Sequence, residues 1–229
     1  YYFHDQQKGL NMTLAHSIAK ILLKIKAVQF NIDNPFQYTS GLQSPIYCDN
    51  RLVISHPKAR NTIIDGFLSL IQTHALPTEL IAGTATAGIP HAAWIADRLQ
   101  QPMVYIRGKA KAHGKNNQIE GHYKTEQQAL VIEDLISTGN SAISACQALK
   151  AQGVIAQHCL AIFNYQLNTS QQAFQEADIK LHTLTTLDTL LDAAIQQGQL
   201  TEKQRNEVYC WRNNPKVWTP SIQKAASST

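Results

Sequence analysis

Leu14, Ile18, Ile21, Leu22 and Ile25 recur at helical spacing, with Lys20 and Lys24 off that face, and predict an amphipathic helix near the start of the chain. An irregular stretch follows, NPFQYTSGLQSPIYCDNRL. Its Asn-Pro, Ser-Gly and Ser-Pro pairs mark turns, and Tyr47 with its neighbours predicts a short strand. Ser55 reads as the cap of a second helix running to Gln72, with Ile63, Ile64, Phe67, Leu68 and Ile71 as its buried face. From there the pattern alternates. Apolar runs at 80–83, 103–106, 129–132 and 154–163 predict strands, with helices from Pro90 and up to Gln152 between them. A short helix after Tyr165, an edge strand at 181–184 and helices at 187–197 and 201–212 complete the reading. Strands alternating with helices of this length predict an α/β fold, an open and mostly parallel sheet flanked by helices.

Composition narrows the picture. A chain of 229 residues with 44% apolar content fits one generous domain and excludes disorder as the dominant state. No apolar run approaches the roughly eighteen residues of a membrane span, so no membrane partner is expected. The opening YYFHDQQKGLN lacks the layout of a signal peptide and precedes Met12, so residues 1–11 read as an extension outside a domain at 12–213. Residues 214–229, with two prolines and little periodicity, read as a surface tail. Cys48, Cys146, Cys159 and Cys210 form neither a disulfide framework nor a zinc pattern, which points to the reducing cytoplasm.

The sharpest segment is VIEDLISTGNS (131–141). An apolar strand ends in Glu133 and Asp134, and a turn rich in Ser, Thr and Gly then leads into a helix. Ligands of open parallel sheets bind at the carboxyl ends of strands. The loop from Ser137 to Ser141 sits at a helix N-terminus, where backbone N–H groups and the helix dipole favour an anion such as phosphate. Carboxylates would repel that phosphate, so their partners are ribose hydroxyls or a divalent cation. Together these features describe a ribose 5-phosphate site.

GTATAG (83–88) has the spacing of a P-loop, but Ile89-Pro90 follows where a P-loop carries its lysine and hydroxyl residue, which excludes that reading. What remains is a strand, a loop of small side chains and a helix with proline in its first turn. It serves either as a tight packing turn or as a second anion site.

The net charge of +4 has an address. Residues 107–124 carry Arg107, Lys109, Lys111, Lys115 and Lys124 against the single acid Glu120, which equals the charge of the whole chain. The segment has no apolar period, so it predicts neither core helix nor core strand. One tyrosine offers few stacking surfaces for a nucleic acid, and the two anion loops favour a mobile lid over a highly anionic substrate.

These motifs resemble a known family. VIEDLISTGNS is similar to the diphosphoribosyl-binding signature of the type I phosphoribosyltransferases, with Gly139-Asn140 where the usual motif has two glycines. Arg107, Lys111, His113 and Gly114 match the basic R-x-x-x-K-x-H-G catalytic loop of the orotate phosphoribosyltransferases. YTSGLQSPIYCDNR (38–51) resembles their N-terminal substrate segment, and GTATAGIPHAA (83–93) the loop that meets pyrophosphate. The resemblance implies a type I phosphoribosyltransferase fold with a small substrate-covering segment at 12–55 and a catalytic lid at 107–124. It implies transfer of phosphoribose from 5-phosphoribosyl 1-diphosphate to orotate with Mg²⁺, in pyrimidine (UMP) biosynthesis. It also implies a homodimer whose lid closes over the neighbouring subunit's site.

By the same resemblance Arg107, Lys111 and His113 act on the diphosphate, and Glu133 and Asp134 hold the ribose hydroxyls. Leu135 and Ile136 complete the phosphoribosyl diphosphate signature, Thr138, Gly139, Asn140 and Ser141 hold the 5′-phosphate, and Ser137 reaches the pyrimidine. Metal is bound mainly through the substrate. Some relatives carry lysines at the positions of Gly108 and Ala87 and an arginine near Tyr165, so base contacts here fall to Arg51, Lys109 or backbone amides. The competing functions are a phosphoribosyltransferase for another base and a non-catalytic sensor of phosphoribosyl diphosphate.

Overall fold

The computed structural model describes residues 2–38, 41–108, 118–218 and 220, with side chains from residue 13 onward. The chain divides into two units, residues 1–56 with 185–229, and residues 57–184.

The first unit opens with helix α1 (Tyr2–Lys24), in which Ile18, Ala19, Leu22 and Leu23 are buried. Residues 1–11, read from sequence as an extension, thus fall largely within the same helix. Strand β1 (Val28–Phe30) pairs antiparallel with β4 (Ile46–Cys48), and between them β2 (Phe36–Gln37) pairs with β3 (Gln43–Ser44). Only the strand around Tyr47 had a sequence signal. The other three are two or three residues long, too short to show a period. A 3₁₀ helix (Asn50–Ser55) follows, capped by the Asp49 side chain. This corrects the reading of Ser55 as the cap of the next helix.

The second unit begins with α2 (Pro57–Thr73), which buries Ile63, Ile64, Phe67 and Ile71 as the periodicity requires, and Leu70 in place of Leu68. Then come β5 (Leu80–Thr84), α3 (Gly88–Leu99), β6 (Met103–Ile106), β7 (Ile119–Glu120), β8 (Gln128–Ile136), α4 (Asn140–Lys150), β9 (Ile155–Asn164), α5 (Asn168–Glu176) and β10 (Lys180–Thr186). They build one six-stranded sheet in the order β10-β9-β8-β5-β6-β7. The pairs β5/β6, β5/β8 and β8/β9 are parallel, and β6/β7 is antiparallel. In the central strand β5 every residue is buried, as a strand covered on both faces should be.

Two helices, α6 (Leu187–Gln196) and α7 (Glu202–Asn213), return the chain to the first unit. There α6 packs on α1, and Trp211 Nε1 donates to the Gln43 carbonyl at 3.2 Å. Each helix is capped as its sequence dictates: Thr186 accepts from the Thr189 N–H, and Thr201 and Gln204 form a reciprocal capping box. No described helix is long and apolar enough to cross a membrane.

Two sequence expectations change in the sheet. Strand β8 does not stop at Ile132. It runs on through Glu133, Asp134 and Leu135 to Ile136, with Leu135 paired to Phe163 and Ile136 to Asn164. The acids hid the continuation because charged residues break an apolar run without breaking a ladder of backbone hydrogen bonds. The basic segment is also not wholly irregular. Ile119 pairs with Ile106 and Glu120 with Tyr105, and the Arg107 N–H donates to the Gln118 carbonyl at 2.8 Å. The segment therefore leaves and rejoins the sheet at one place.

Candidate active site

Parallel strands β5 and β8 are neighbours, yet the chain leaves β5 for β6 on one side and returns as β8 on the other. This makes a topological switch point, where the loops beyond two adjacent strands diverge and leave a crevice. The loops that diverge are 85–87 after β5, read from sequence as a packing turn or a second anion site, and 137–139 after β8, read as an anion site.

In the loop after β8, Ser137, Thr138, Asn140 and Ser141 are exposed while Gly139 is buried. Gly139 has φ +84° and starts α4 with no side-chain cap, and the Ile143 N–H donates to its carbonyl at 3.0 Å. A Cβ there would lie 2.7 Å from Phe174 Cε2, so left-handed backbone and close packing both demand glycine. Asn140 is already the first residue of the helix. Its helical backbone has no need of glycine, which explains why this chain manages with one. An uncapped helix start with exposed hydroxyls around it suits an anionic ligand.

In the loop after β5 the glycines have a packing task. A Cβ on Gly83 would stand 3.0 Å from both Ala92 Cβ and Ile89 Cα, and one on Gly88 would overlap the Ile132 carbonyl and the Thr84 hydroxyl. They let α3 lie directly on β5 and β8. The Ala85–Thr86 peptide is cis, and the Ala85 N–H donates to the Ile106 carbonyl at 2.8 Å.

Thr84, Ala85, Arg107, Gln118, Asn140 and Ser141 line a cleft of about 240 Å³. It brings together the β5 loop, the roots of the basic segment and the start of α4, as the sequence reading requires. Thr84 belongs to the small-residue loop marked at 83–88, whereas Gln118 had no signal of its own within the basic segment. Arg107 Nη1 lies 3.2 Å from Glu120 Oε1, and Gln118 Nε2 donates to the Arg107 carbonyl at 2.9 Å. The sole acid of the basic segment thus holds its first cation. Lys109, Lys111 and His113 lie outside the described residues. Arg51 makes a two-point ion pair with Asp49 at 2.6 and 2.9 Å.

The acids stand on β8, outside that cleft's lining. Glu133 is buried, its Oε1 accepting from the Asp134 N–H at 3.0 Å, and Asp134 is half-buried. Burial first, and then the Asp134 carboxylate beside it, push Glu133 up to about 8, with the Thr84 hydroxyl pulling the other way. Burial and the neighbouring carboxylate thus both favour the protonated form of Glu133. Leu135 is half-buried and Ile136 is turned into the core, with the Ile136 carbonyl accepting from the Tyr165 N–H at 3.0 Å. Tyr165 is itself buried against Phe163.

Behind the β5 loop, His91 of α3 is fully buried, and neither ring nitrogen has a hydrogen-bond partner among the described residues. Burial drives it from the ordinary 6.5 down to about 4. A folded-state pKa below the unfolded one means that this contribution to stability is present above pH 6.5 and is lost as pH falls towards 4. His91→Leu should therefore raise stability at pH 7 by roughly 1–3 kcal/mol, by removing unpaired buried nitrogens. It should also flatten the stability profile between pH 6.5 and 4. Urea unfolding at pH 7 and pH 5 checks both, and equal pH slopes in the two proteins would contradict the account.

The switch-point loops and the acid pair define a phosphoribosyltransferase, and residues 61–180 match the model of the phosphoribosyl transferase domain. The orotate phosphoribosyltransferase of Coxiella burnetii is 53% identical over 209 residues, covering 91% of this chain and 100% of that protein. That of Bacillus subtilis is 47% identical over 207 residues, covering 90% and 96%. The crystal structure of orotate phosphoribosyltransferase from Aeropyrum pernix superposes with a TM-score of 0.70 at 26% identity, covering 80% of this chain and 99% of that one. The fold likeness extends to the Mycobacterium tuberculosis enzyme in complex with 5-phospho-alpha-D-ribosyl 1-diphosphate, with TM-score 0.61, 20% identity and coverage of 77% and 98%. The chain belongs to the orotate phosphoribosyltransferase family.

Proposed function

We propose that the chain transfers the phosphoribosyl group of 5-phosphoribosyl 1-diphosphate to orotate, giving orotidine 5′-phosphate and diphosphate in UMP biosynthesis. The observation that carries the reading is the switch-point pair: an acid pair on β8 leading into an uncapped helix start, beside the small-residue loop of β5.

In this reading the backbone N–H groups and hydroxyls of Thr138, Gly139, Asn140 and Ser141 hold the 5′-phosphate. Asp134 accepts from the ribose hydroxyls. Glu133 accepts from the Asp134 N–H and so positions Asp134. The bond from C1 to the diphosphate oxygen breaks with its electron pair leaving on the diphosphate, and C1 becomes oxocarbenium-like. A ring nitrogen of orotate supplies the new pair to C1 and loses its proton. Negative charge grows on the departing diphosphate, where Arg107 and Lys111 meet it and His113 serves as cation or proton donor. Ser137 faces the base.

Among the described residues no group of three or more His, Cys, Asp or Glu is arranged to hold a metal. With Glu133 buried, Asp134 is the one carboxylate of the pair open to a ligand. This donor set fits a hard cation such as Mg²⁺ that keeps substrate oxygens and water as most of its ligands. When bound, Mg²⁺ neutralises charge on the diphosphate.

We further propose a homodimer with the lid shared across subunits, working in the cytoplasm. The four cysteines are free thiols, which suits a reducing compartment.

Orotate consumption followed in the ultraviolet, with phosphoribosyl diphosphate and Mg²⁺, tests the reaction. No turnover of orotate alongside turnover of another base would overturn it. Asp134→Asn should weaken phosphoribosyl diphosphate binding by about tenfold or more, the worth of a hydrogen bond to a charged group, while hardly touching orotate. Calorimetry with each substrate separately checks this. The reverse pattern would remove Asp134 from the ribose.

A further inference from the structure

Three of the chain's nine histidines gather away from the loops described above. His74 lies just past α2, His158 is on β9, and His182 is on the neighbouring strand β10. His158 Nδ1 stands 3.3 Å from His182 Nε2, with the ring planes 21° apart and the centroids separated by 5.5 Å. The His74 ring centroid is 4.9 Å from that of His182. The proposed reaction uses none of the three.

Two facing ring nitrogens on adjacent strands admit two arrangements. One is an N–H···N hydrogen bond, with one nitrogen protonated. The other turns both lone pairs towards a shared point. Two nitrogens bound at roughly 2.0–2.1 Å to one tetrahedral ion are about 3.3 Å apart, which is the spacing found here. We propose that His158 Nδ1 and His182 Nε2 form a two-imidazole chelate for a borderline divalent ion of the zinc and nickel class, with water completing the coordination.

The chemistry of the surroundings agrees. Burial, and then the charges of His74, His158 and Lys180, bring His182 down to about 4, while burial and Lys180 lower His158. Both shifts favour the neutral ring, in which one nitrogen carries a lone pair and the other an N–H. Imidazole selects this class of ion over Mg²⁺, which prefers oxygen. Among the described residues no third His, Cys, Asp or Glu completes the set, and Lys180 adds positive charge. With two protein ligands the site is weaker than a four-ligand structural zinc centre. Its effect would be to tie β10, the last strand of the sheet, to β9.

The test is calorimetric titration of the full, tag-free chain with nickel chloride, without phosphoribosyl diphosphate. One-site binding is expected, with a rise in Tm of roughly 3–5 °C at ten times Kd. His158→Ala and His182→Gln should each weaken it by about tenfold or more. Unchanged circular dichroism and orotate turnover in these variants separate lost chelation from lost folding. Nickel binding of native affinity in both variants, or none below millimolar concentration in the native chain, would overturn the proposal.

Discussion

Replacing Lys111 with alanine is expected to lower kcat by about a hundredfold or more while leaving thermal unfolding unchanged. The reaction has little covalent work for the protein to do at the diphosphate. Its barrier falls when positive charge is in place as negative charge develops, and one such contact is worth ~3–4 kcal/mol. The fold should be indifferent because the segment is secured at its roots. Ile106 pairs with Ile119, and Arg107 is held by Glu120. Arg107 has a resident acid, whereas Lys111 comes from the part of the segment that contains no acid at all. Loss of kcat with KM for phosphoribosyl diphosphate nearly unchanged would place Lys111 at the transition state, and near-normal kcat would remove it from the chemistry. The same variant tests the shared lid. In a homodimer with a shared lid, mixing it with Asp134→Asn at subsaturating phosphoribosyl diphosphate should raise activity above the mean of the two variants, because half of the randomly formed dimers then hold one site with both residues intact. No recovery on mixing would place the segment over its own subunit's site.

Much of this protein is legible before any coordinates, and the exceptions have physical reasons. The strand at 80–84 and the inner stretches 129–132 and 159–163 are buried throughout, so each reads as a plain apolar run. The helices carry their own start signals, as Thr201 and Gln204 do for α7. What the sequence hides is backbone pairing that side chains do not advertise. Glu133 and Asp134 look like the end of β8, yet the ladder continues past them. Ile119 and Glu120 form a strand too short for any period. At the candidate site, the sequence shows the glycine turn and the hydroxyl residues of the motif 137–141. The packing partner that fixes the turn is not visible there, because Phe174 lies 35 residues from Gly139 and only the fold brings it near. The upward shift of Glu133 likewise depends first on burial, which no single motif reveals.

Gly139 and Asn140 should respond in opposite ways to substitution, although the family signature places glycine at both. Gly139→Ala forces an L side chain to φ +84° and puts its Cβ 2.7 Å from Phe174 Cε2. The backbone part costs about 1–2 kcal/mol and the overpacking about 1–3 kcal/mol more. The second part is relieved only by moving the loop proposed to cradle the 5′-phosphate. A fall in Tm should therefore accompany a rise of at least about tenfold in KM for phosphoribosyl diphosphate, since a displacement near 1 Å of a binding group has large kinetic effects. The double variant Gly139→Ala/Phe174→Leu separates the two contributions. Removing the ring should recover much of the KM, because the steric push on the loop is gone. The Tm should recover only in part, because φ is still positive and a buried aromatic has been lost. Asn140→Gly, by contrast, should leave KM unchanged and cost under about 1 kcal/mol of stability, the ordinary penalty of glycine in a helix. If Gly139→Ala behaved like Asn140→Gly, the left-handed turn would not be what shapes the phosphate loop. If instead both variants raised KM, the second position would matter through its side chain at the helix start rather than through backbone freedom.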